Sequence, residues 1–314
     1  MNKTRTRGST KKYVGVLTVP LNPNTKLFRV CGTSYIVSAH IEWLKSHNIG
    51  VISIPYYSKN LENYIKRVHG VYLPSGGVFA QTQPEYYFAA KKLLKLAKKE
   101  NDLGNYFPVW GACMGFQQML IAQDGRDLYD NFLQRFNSFS NLYLTLKFTE
   151  EGRNSRIFSL YSKRQISDME KKKTSLHNHM MGISPNVFKK NKNLSKFYKI
   201  VNISYDRDNK PFVSTIEAYN YPFYGVQWHP ERKRNFYKLA KFFSNEVKKN
   251  KRTATQSGKT LKKNRVKCMK YSNDLYKKCD FFYDENDKDV DIEKCHYVAN
   301  HKRDKNGKLY VSVG

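Results

Sequence analysis

The chain contains no run of 18 apolar residues, so no segment is built to cross a bilayer as a helix. Its start, MNKTRTRGSTKK, is basic, but the stretch after it, Tyr13 to Val19, is short and β-branched and stops at Pro20. No small-residue cleavage site follows, so the segment reads as a first strand rather than a secretory leader. Cysteine is scarce and odd in number, five scattered residues, which excludes a disulfide framework and makes a reducing, intracellular home the default expectation. Acid is in short supply: 26 Asp and Glu face 56 Lys and Arg, for a formal charge of +30. The residues from Lys248 onward carry +9 of this and the first 247 carry +21, so the excess is spread through the chain. That charge reads either as a footprint for polyanions or as lysine used as the default solvated residue. No RNA-reading motif accompanies it, and the charge is diffuse rather than striped. What is abundant is aromatic: 23 Tyr and 19 Phe are too many for a disordered polyampholyte and enough for a real core.

Short apolar runs alternate with amphipathic ones over the first 120 residues. Val14–Val19, Val51–Ile54, Val71–Leu73 and Phe107–Trp110 read as strands. Ser34–Ser46 places Ile36, Val37, Ile41 and Leu44 at helical spacing. Glu85–Glu100 reads as a long helix with Phe88, Leu93, Leu96 and Ala97 on one face. Such alternation predicts a parallel sheet covered by helices on both faces, with its site at the carboxyl ends of the strands. After a polar middle section come three β-rich runs, Phe197–Ser204, Phe212–Tyr219 and Phe223–Trp228, and a closing helix from Asn235 to Val247. The lysine-rich stretch beyond is a linker by composition, leading to a small appendage. No internal repeat is present. The division expected is a basic N-terminal segment (1–12), a catalytic domain (13–247) and an extension (248–314).

The sharpest local signal is Gly111-Ala-Cys113-Met-Gly115, set between the strand FPVW and the helical run FQQMLIA. A G-x-nucleophile-x-G between strand and helix describes a nucleophile elbow, whose tight turn leaves room only for small flanking residues. Cys113 would stand at a helix N-terminus, where the dipole is expected to lower the thiol pKa. A base is offered by Tyr224-Gly-Val-Gln-Trp-His229-Pro-Glu231, read as a strand ending at His229 with Glu231 holding one ring nitrogen. Pro74-Ser75-Gly76-Gly77 after a strand lets backbone N–H groups approach a ligand. An N–H near Gly77 and that of Met114 are the expected oxyanion donors. His40, His47 and His69 read as packing or surface residues. In the extension, Cys268, Cys279, Cys295, His296 and His301 lack the C-x2-C spacing of a zinc knuckle, so no metal site is expected.

GACMGFQQ, YGVQWHPE and the glycine pair resemble the class I glutamine amidotransferase-like fold with its Cys–His–Glu triad. VGVLTVPL, YIVSAHIEWLKSHNIGVISIPY, LKFTEEGRNSRIF, NHMMGISP and STIEAYNYPFYGVQWHPE narrow the resemblance to the γ-glutamyl hydrolases, peptidase family C26, from about Tyr13 to Val247. The resemblance implies an α/β three-layer sandwich with a mainly parallel central sheet, plus a C-terminal basic extension outside it. It carries the nucleophile to Cys113, the base to His229 and the third member to Glu231. A substrate-contacting histidine falls on His179, in what reads as a loop, with His177 the alternative, and Gly76 joins the substrate-binding set. It implies hydrolysis of a γ-glutamyl amide, of folate or another poly-γ-glutamate, through a thioester and without metal or organic cofactor. The partners to expect are that small-molecule substrate and a homodimer mate, with polyanions as candidate contacts of the tail and no membrane. Two other readings stand beside this one: a glutaminase-type amidotransferase subunit, and a basic nucleic-acid-binding protein on a hydrolase scaffold. Where the family has Pro-Gly-Gly this chain has Pro74-Ser75-Gly76-Gly77, which bears on the outer oxyanion donor.

Overall fold

A computed structural model describes residues 11–24, 32–78, 82–125 and 132–252, with the strand backbone at 265–268 and 279–282. The chain opens with β1 (Tyr13–Leu17), β2 (Val19–Pro20) and β3 (Ser34–Val37), which runs directly into α1 (Ser38–Lys45). β4 (Gly50–Ile54), α2 (Leu61–Ile65), β5 (Val71–Leu73), α3 (Pro84–Asp102), β6 (Val109–Ala112) and α4 (Met114–Asp124) then alternate. The middle forms β7 (Gln134–Leu144), β8 (Lys147–Phe148), α5 (Glu150–Arg153), α6 (Lys163–Lys171) and β9 (Ser175–Gly182). α7 (Pro185–Lys190) and α8 (Lys192–Ser195) lead to β10 (Tyr198–Tyr205), β11 (Pro211–Ala218) and β12 (Phe223–Val226). Two 3-10 turns, Pro230–Arg232 and Arg234–Phe236, then give way to α9 (Tyr237–Lys249), and the strands β13 (Arg265–Cys268) and β14 (Cys279–Phe282) come last.

The main sheet has the order β4-β1-β5-β6-β12-β11-β10-β8, parallel from β4 to β12 and antiparallel beyond. The two-residue period of a strand sorts its side chains to opposite faces. Val71, Leu73 and Val109 join a core under α2, α3 and α4. Tyr72, Trp110 and Ala112 join another under α1 and α9, around Trp43, Leu239 and Phe243. The result is a three-layer sandwich. α4 is buried nearly all round, as a helix must be when it starts at the centre of the sheet and packs beneath it. α9 shows the opposite pattern, with Leu239, Phe243 and Val247 inward and lysines outward.

Two readings of the sequence are corrected. Ser34–Val37 is a strand, not the start of a helix: it pairs with β2 and β14, and the helix begins only at Ser38. Phe88 leaves the apolar stripe of α3 and is 57% exposed, while Leu93 and Ala97 are buried. The polar middle section is ordered as a two-stranded β7–β9 ribbon, joined across register shifts.

Candidate active site

The elbow forms where β6 meets α4. Cys113 has φ 51° and ψ −104°, a left-handed conformation that costs a residue with a side chain about 1–3 kcal/mol. The turn is held by the Cys113 N–H donating to Val226 O at 2.7 Å and the Gln117 N–H donating to Cys113 O at 3.1 Å. Both glycines are sterically required. A Cβ on Gly115 would lie 1.9 Å from Leu73 O, and one on Gly111 would lie 2.8 Å from Gly115 O. The Met114 N–H is turned to the Cys113 thiol, and the Met114 thioether packs where a Gly76 side chain would be. That contact brings the glycine pair beside the elbow, with Gly77 exposed on the loop.

β12 ends at Val226, three residues earlier than the sequence reading placed it. The chain then bends at Gln227 and Trp228 and its partners change: the Gln227 N–H donates to Ser214 O and the His229 N–H to Leu176 O of β9. β12 and β6 are parallel neighbours with Val226 opposite Ala112, so Cys113 and His229 leave adjacent strand ends on the same side of the sheet. Glu231 sits in the 3-10 turn after Pro230, and its Oε1 accepts from His229 Nδ1 at 2.8 Å. His229 Nε2 and Glu231 Oε2 are buried with no hydrogen-bond partner among the described residues.

The electrostatics overturn one expectation. Burial pushes the Cys113 thiol up to about 12, and the nearby Glu231 charge adds to the rise. Arg232, the Met114 N–H and Gln227 oppose it without reversing it. The helix N-terminus contributes in the expected direction, but loss of water around a fully enclosed sulfur is the larger effect. Burial also lowers His229, helped by Arg232 and resisted by Glu231. Burial alone would raise Glu231, yet His40, His229 and Arg232 together hold it at about 2. The resting site is therefore a neutral thiol, a neutral imidazole and a carboxylate.

His179 and His177 lie on the strand β9 rather than in a loop, side by side on one face. His179 Nδ1 is 3.0 Å from Met181 O, a group that can only accept, so the proton is on Nδ1. His179 Nε2 then accepts from His177 Nδ1 at 3.2 Å, and His177 Nε2 faces Ser175 Oγ at 3.1 Å. Both rings pack edge-on to Phe212. A chain of contacts joins this pair to the nucleophile. Gln117 Nε2 donates to Met181 O at 2.7 Å and meets Gln227 Oε1 at 3.3 Å, and Gln227 Nε2 lies 3.9 Å from Cys113 Sγ.

Sequence reasoning missed Gln117, Gln227 and His40. His40 is fully buried, bonded to Tyr72 and Ser75 and close to Glu231. Reading Ser34–Val37 as a strand would have exposed it, because His40 follows that strand's carboxyl end. His69 is a tether: it accepts from the Tyr13 N–H at 3.1 Å and donates to Arg252 O at 3.1 Å. His47 lies on an exposed turn beside Ser46. Among the described residues no group of three or more His, Cys, Asp or Glu side chains could hold a metal, and no helix is long and apolar enough to cross a membrane. The side chains of Cys268, Cys279, Cys295, His296 and His301 lie outside the described residues, as do residues 1–10.

Comparison with known proteins bears on the same region. Residues 32–249 match the family model for class-I glutamine amidotransferases. The chain is 31% identical over 265 residues to a gamma-glutamyl hydrolase of Rattus norvegicus, covering 78% of this chain and 80% of that one. It is 28% identical over 221 residues to gamma-glutamyl hydrolase B of Dictyostelium discoideum, covering 70% and 62%. With a gamma-glutamyl hydrolase of Bos taurus it shares 31% over 224 residues, covering 71% and 68%.

Proposed function

The chain belongs to the γ-glutamyl hydrolase family within the class-I glutamine amidotransferases, and on that premise we propose that Cys113, His229 and Glu231 cleave γ-glutamyl amides through a thioester. The enzyme is a hydrolase of γ-glutamyl bonds. The observation that carries the finer reading is the His229 Nδ1–Glu231 Oε1 bond of 2.8 Å, which leaves a buried, unpaired Nε2 at the strand end next to the Cys113 elbow.

Because thiol and imidazole are both neutral at rest, the proton leaves Cys113 for His229 Nε2 as the sulfur attacks the amide carbon. Glu231 keeps the Nδ1–H aligned and stabilises the imidazolium that forms. The oxyanion is received by the Met114 N–H and by an N–H of the Gly76–Gly77 loop, each donor worth about 3 kcal/mol. Collapse of the tetrahedral intermediate breaks the C–N bond, and imidazolium gives its proton to the departing amine. Water, deprotonated by His229, then adds to the thioester and releases the γ-glutamyl acid and the thiol. Gln227, whose amide faces the sulfur, supports the thiolate as it develops.

A poly-γ-glutamyl chain, such as that of a folate, is the substrate class that fits the +21 charge of the first 247 residues, which would steer a polycarboxylate toward the site. The test is Cys113→Ala. It should retain the fold and release no glutamate from γ-glutamyl oligomers, whereas the wild type releases it and leaves free glutamine intact. Turnover by the variant would sink the assignment, and rapid deamidation of glutamine alone would favour a glutaminase.

A further inference from the structure

His40 has no part in the steps above, yet it is enclosed beside them. It is the third residue of α1, just past the carboxyl end of β3. Its Nδ1 lies 2.8 Å from the Tyr72 hydroxyl of β5, and its Nε2 lies 2.7 Å from Ser75 Oγ. The Ser75 backbone N–H donates to the same Nε2 at 3.3 Å, and Glu231 Oε1 is 3.8 Å away. A backbone N–H can only donate, so Nε2 carries no proton and the ring holds its hydrogen at Nδ1, facing Tyr72. Burial outweighs the pull of Glu231 and, with His229 and Arg232, sets the ring pKa at about 4, so this neutral form persists near neutral pH. The imidazole thus grips Ser75 twice, immediately before Gly76 and Gly77.

We propose that His40 is a positioning residue of the hydrolytic site: it clamps the Pro74–Gly77 loop through Ser75 while standing against Glu231, and so sets the oxyanion donors relative to the triad. The proposal rests on the reading of Cys113, His229 and Glu231 given above. Two adjacent glycines hold no single conformation by themselves. A ring bonded to both the hydroxyl and the N–H of the preceding residue supplies the missing constraint, and Tyr72 fixes that ring from the sheet. The Ser75 hydroxyl makes the shorter of the two bonds. His40 touches no substrate; it acts through Ser75. Misplacing donors that act in the transition state lowers kcat and leaves ground-state binding largely alone.

The test compares His40→Leu, which keeps an apolar ring-sized side chain, with His40→Gln, which restores an acceptor for Ser75. The expected result is a kcat about 10- to 100-fold lower in H40L, with KM within about threefold, and recovery of most of that loss in H40Q. Wild-type kcat in H40L, a loss carried by KM alone, or an H40Q as impaired as H40L would overturn the proposal. Should H40L fail to fold, Ser75→Ala takes its place: a lowered kcat at constant KM supports the clamp, and wild-type kcat contradicts it. Cys113→Ala measured alongside separates the two layers. If it is inactive while the His40 and Ser75 variants behave as wild type, only the clamp fails; if it remains active, the site reading beneath it fails.

Discussion

The two ends of β12 each bury a glutamate, and the two are treated in opposite ways. At the amino end, Tyr224 donates to Glu246 of α9 at 2.6 Å, and Tyr106 and Lys249 donate to the same carboxylate. Past the carboxyl end, Glu231 engages His229 through one oxygen and, among the described residues, leaves the other without a hydrogen-bond partner, as His229 leaves its Nε2. A carboxylate buried to hold α9 on the sheet is saturated with donors. One buried to direct an imidazole keeps capacity in reserve, at a cost in desolvation that the fold elsewhere must offset. Burial alone does not separate the two carboxylates; what differs is how fully each is paired.

That contrast can be broken by exchanging the outcomes. Glu231→Gln should lower kcat by about 10²- to 10⁴-fold, because the imidazolium loses its counter-charge. Glu246→Ala should act on stability instead. It strands two phenolic hydroxyls, at a cost of about 2–4 kcal/mol in unfolding free energy, and leaves kcat of the folded protein within about threefold. Stability assays and steady-state kinetics on both variants decide it: an E246A enzyme more impaired in kcat than E231Q would erase the distinction.

The buried imidazoles sharpen the comparison through pH. His40 and His69 are held at about 4 and His179 at about 3, chiefly by burial, against an ordinary value of 6.5. Their folded pKa values are depressed, so as pH falls the unfolded chain takes up protons first. Stability should decline from pH 6.5 toward 4. Glu231, held at about 2 against an ordinary 4.5, contributes stability that is lost only in the lower window, between those values. Melting temperatures from pH 7 to pH 4 should fall, and His69→Gln should make the slope shallower. The smallest effect expected is kinetic: with His229 lowered, the acid limb of kcat/KM should fall below 6.5. A limb above 6.5 would mean that the base is not this imidazole.

The elbow was legible in the sequence because both glycines lie within two residues of the cysteine, although only one of their steric demands is local: Gly111 meets Gly115, whereas Gly115 meets Leu73 of β5. His229 and Glu231 were legible for the same local reason, two residues apart around a proline. His40 was not. Ile36, Val37, Ile41 and Leu44 fit one helical stripe, and only pairing with the distant β2 and β14 makes the first two a strand. β7 carries QRFNSFSNLYL, with no clean alternation, and its order depends on β9 some forty residues later. The direction of the Cys113 shift was also out of reach, since desolvation depends on every element closing over the sulfur.

The central claim is that Cys113 carries the γ-glutamyl group. Acid-quenching the reaction with a γ-glutamyl oligomer and mapping the adduct by peptide mass spectrometry tests it most directly. A hydroxylamine-sensitive γ-glutamyl mass is expected on the peptide containing Cys113 and should be absent from Cys113→Ala. An adduct on another residue, or glutamate release by Cys113→Ala with no adduct at all, would contradict it.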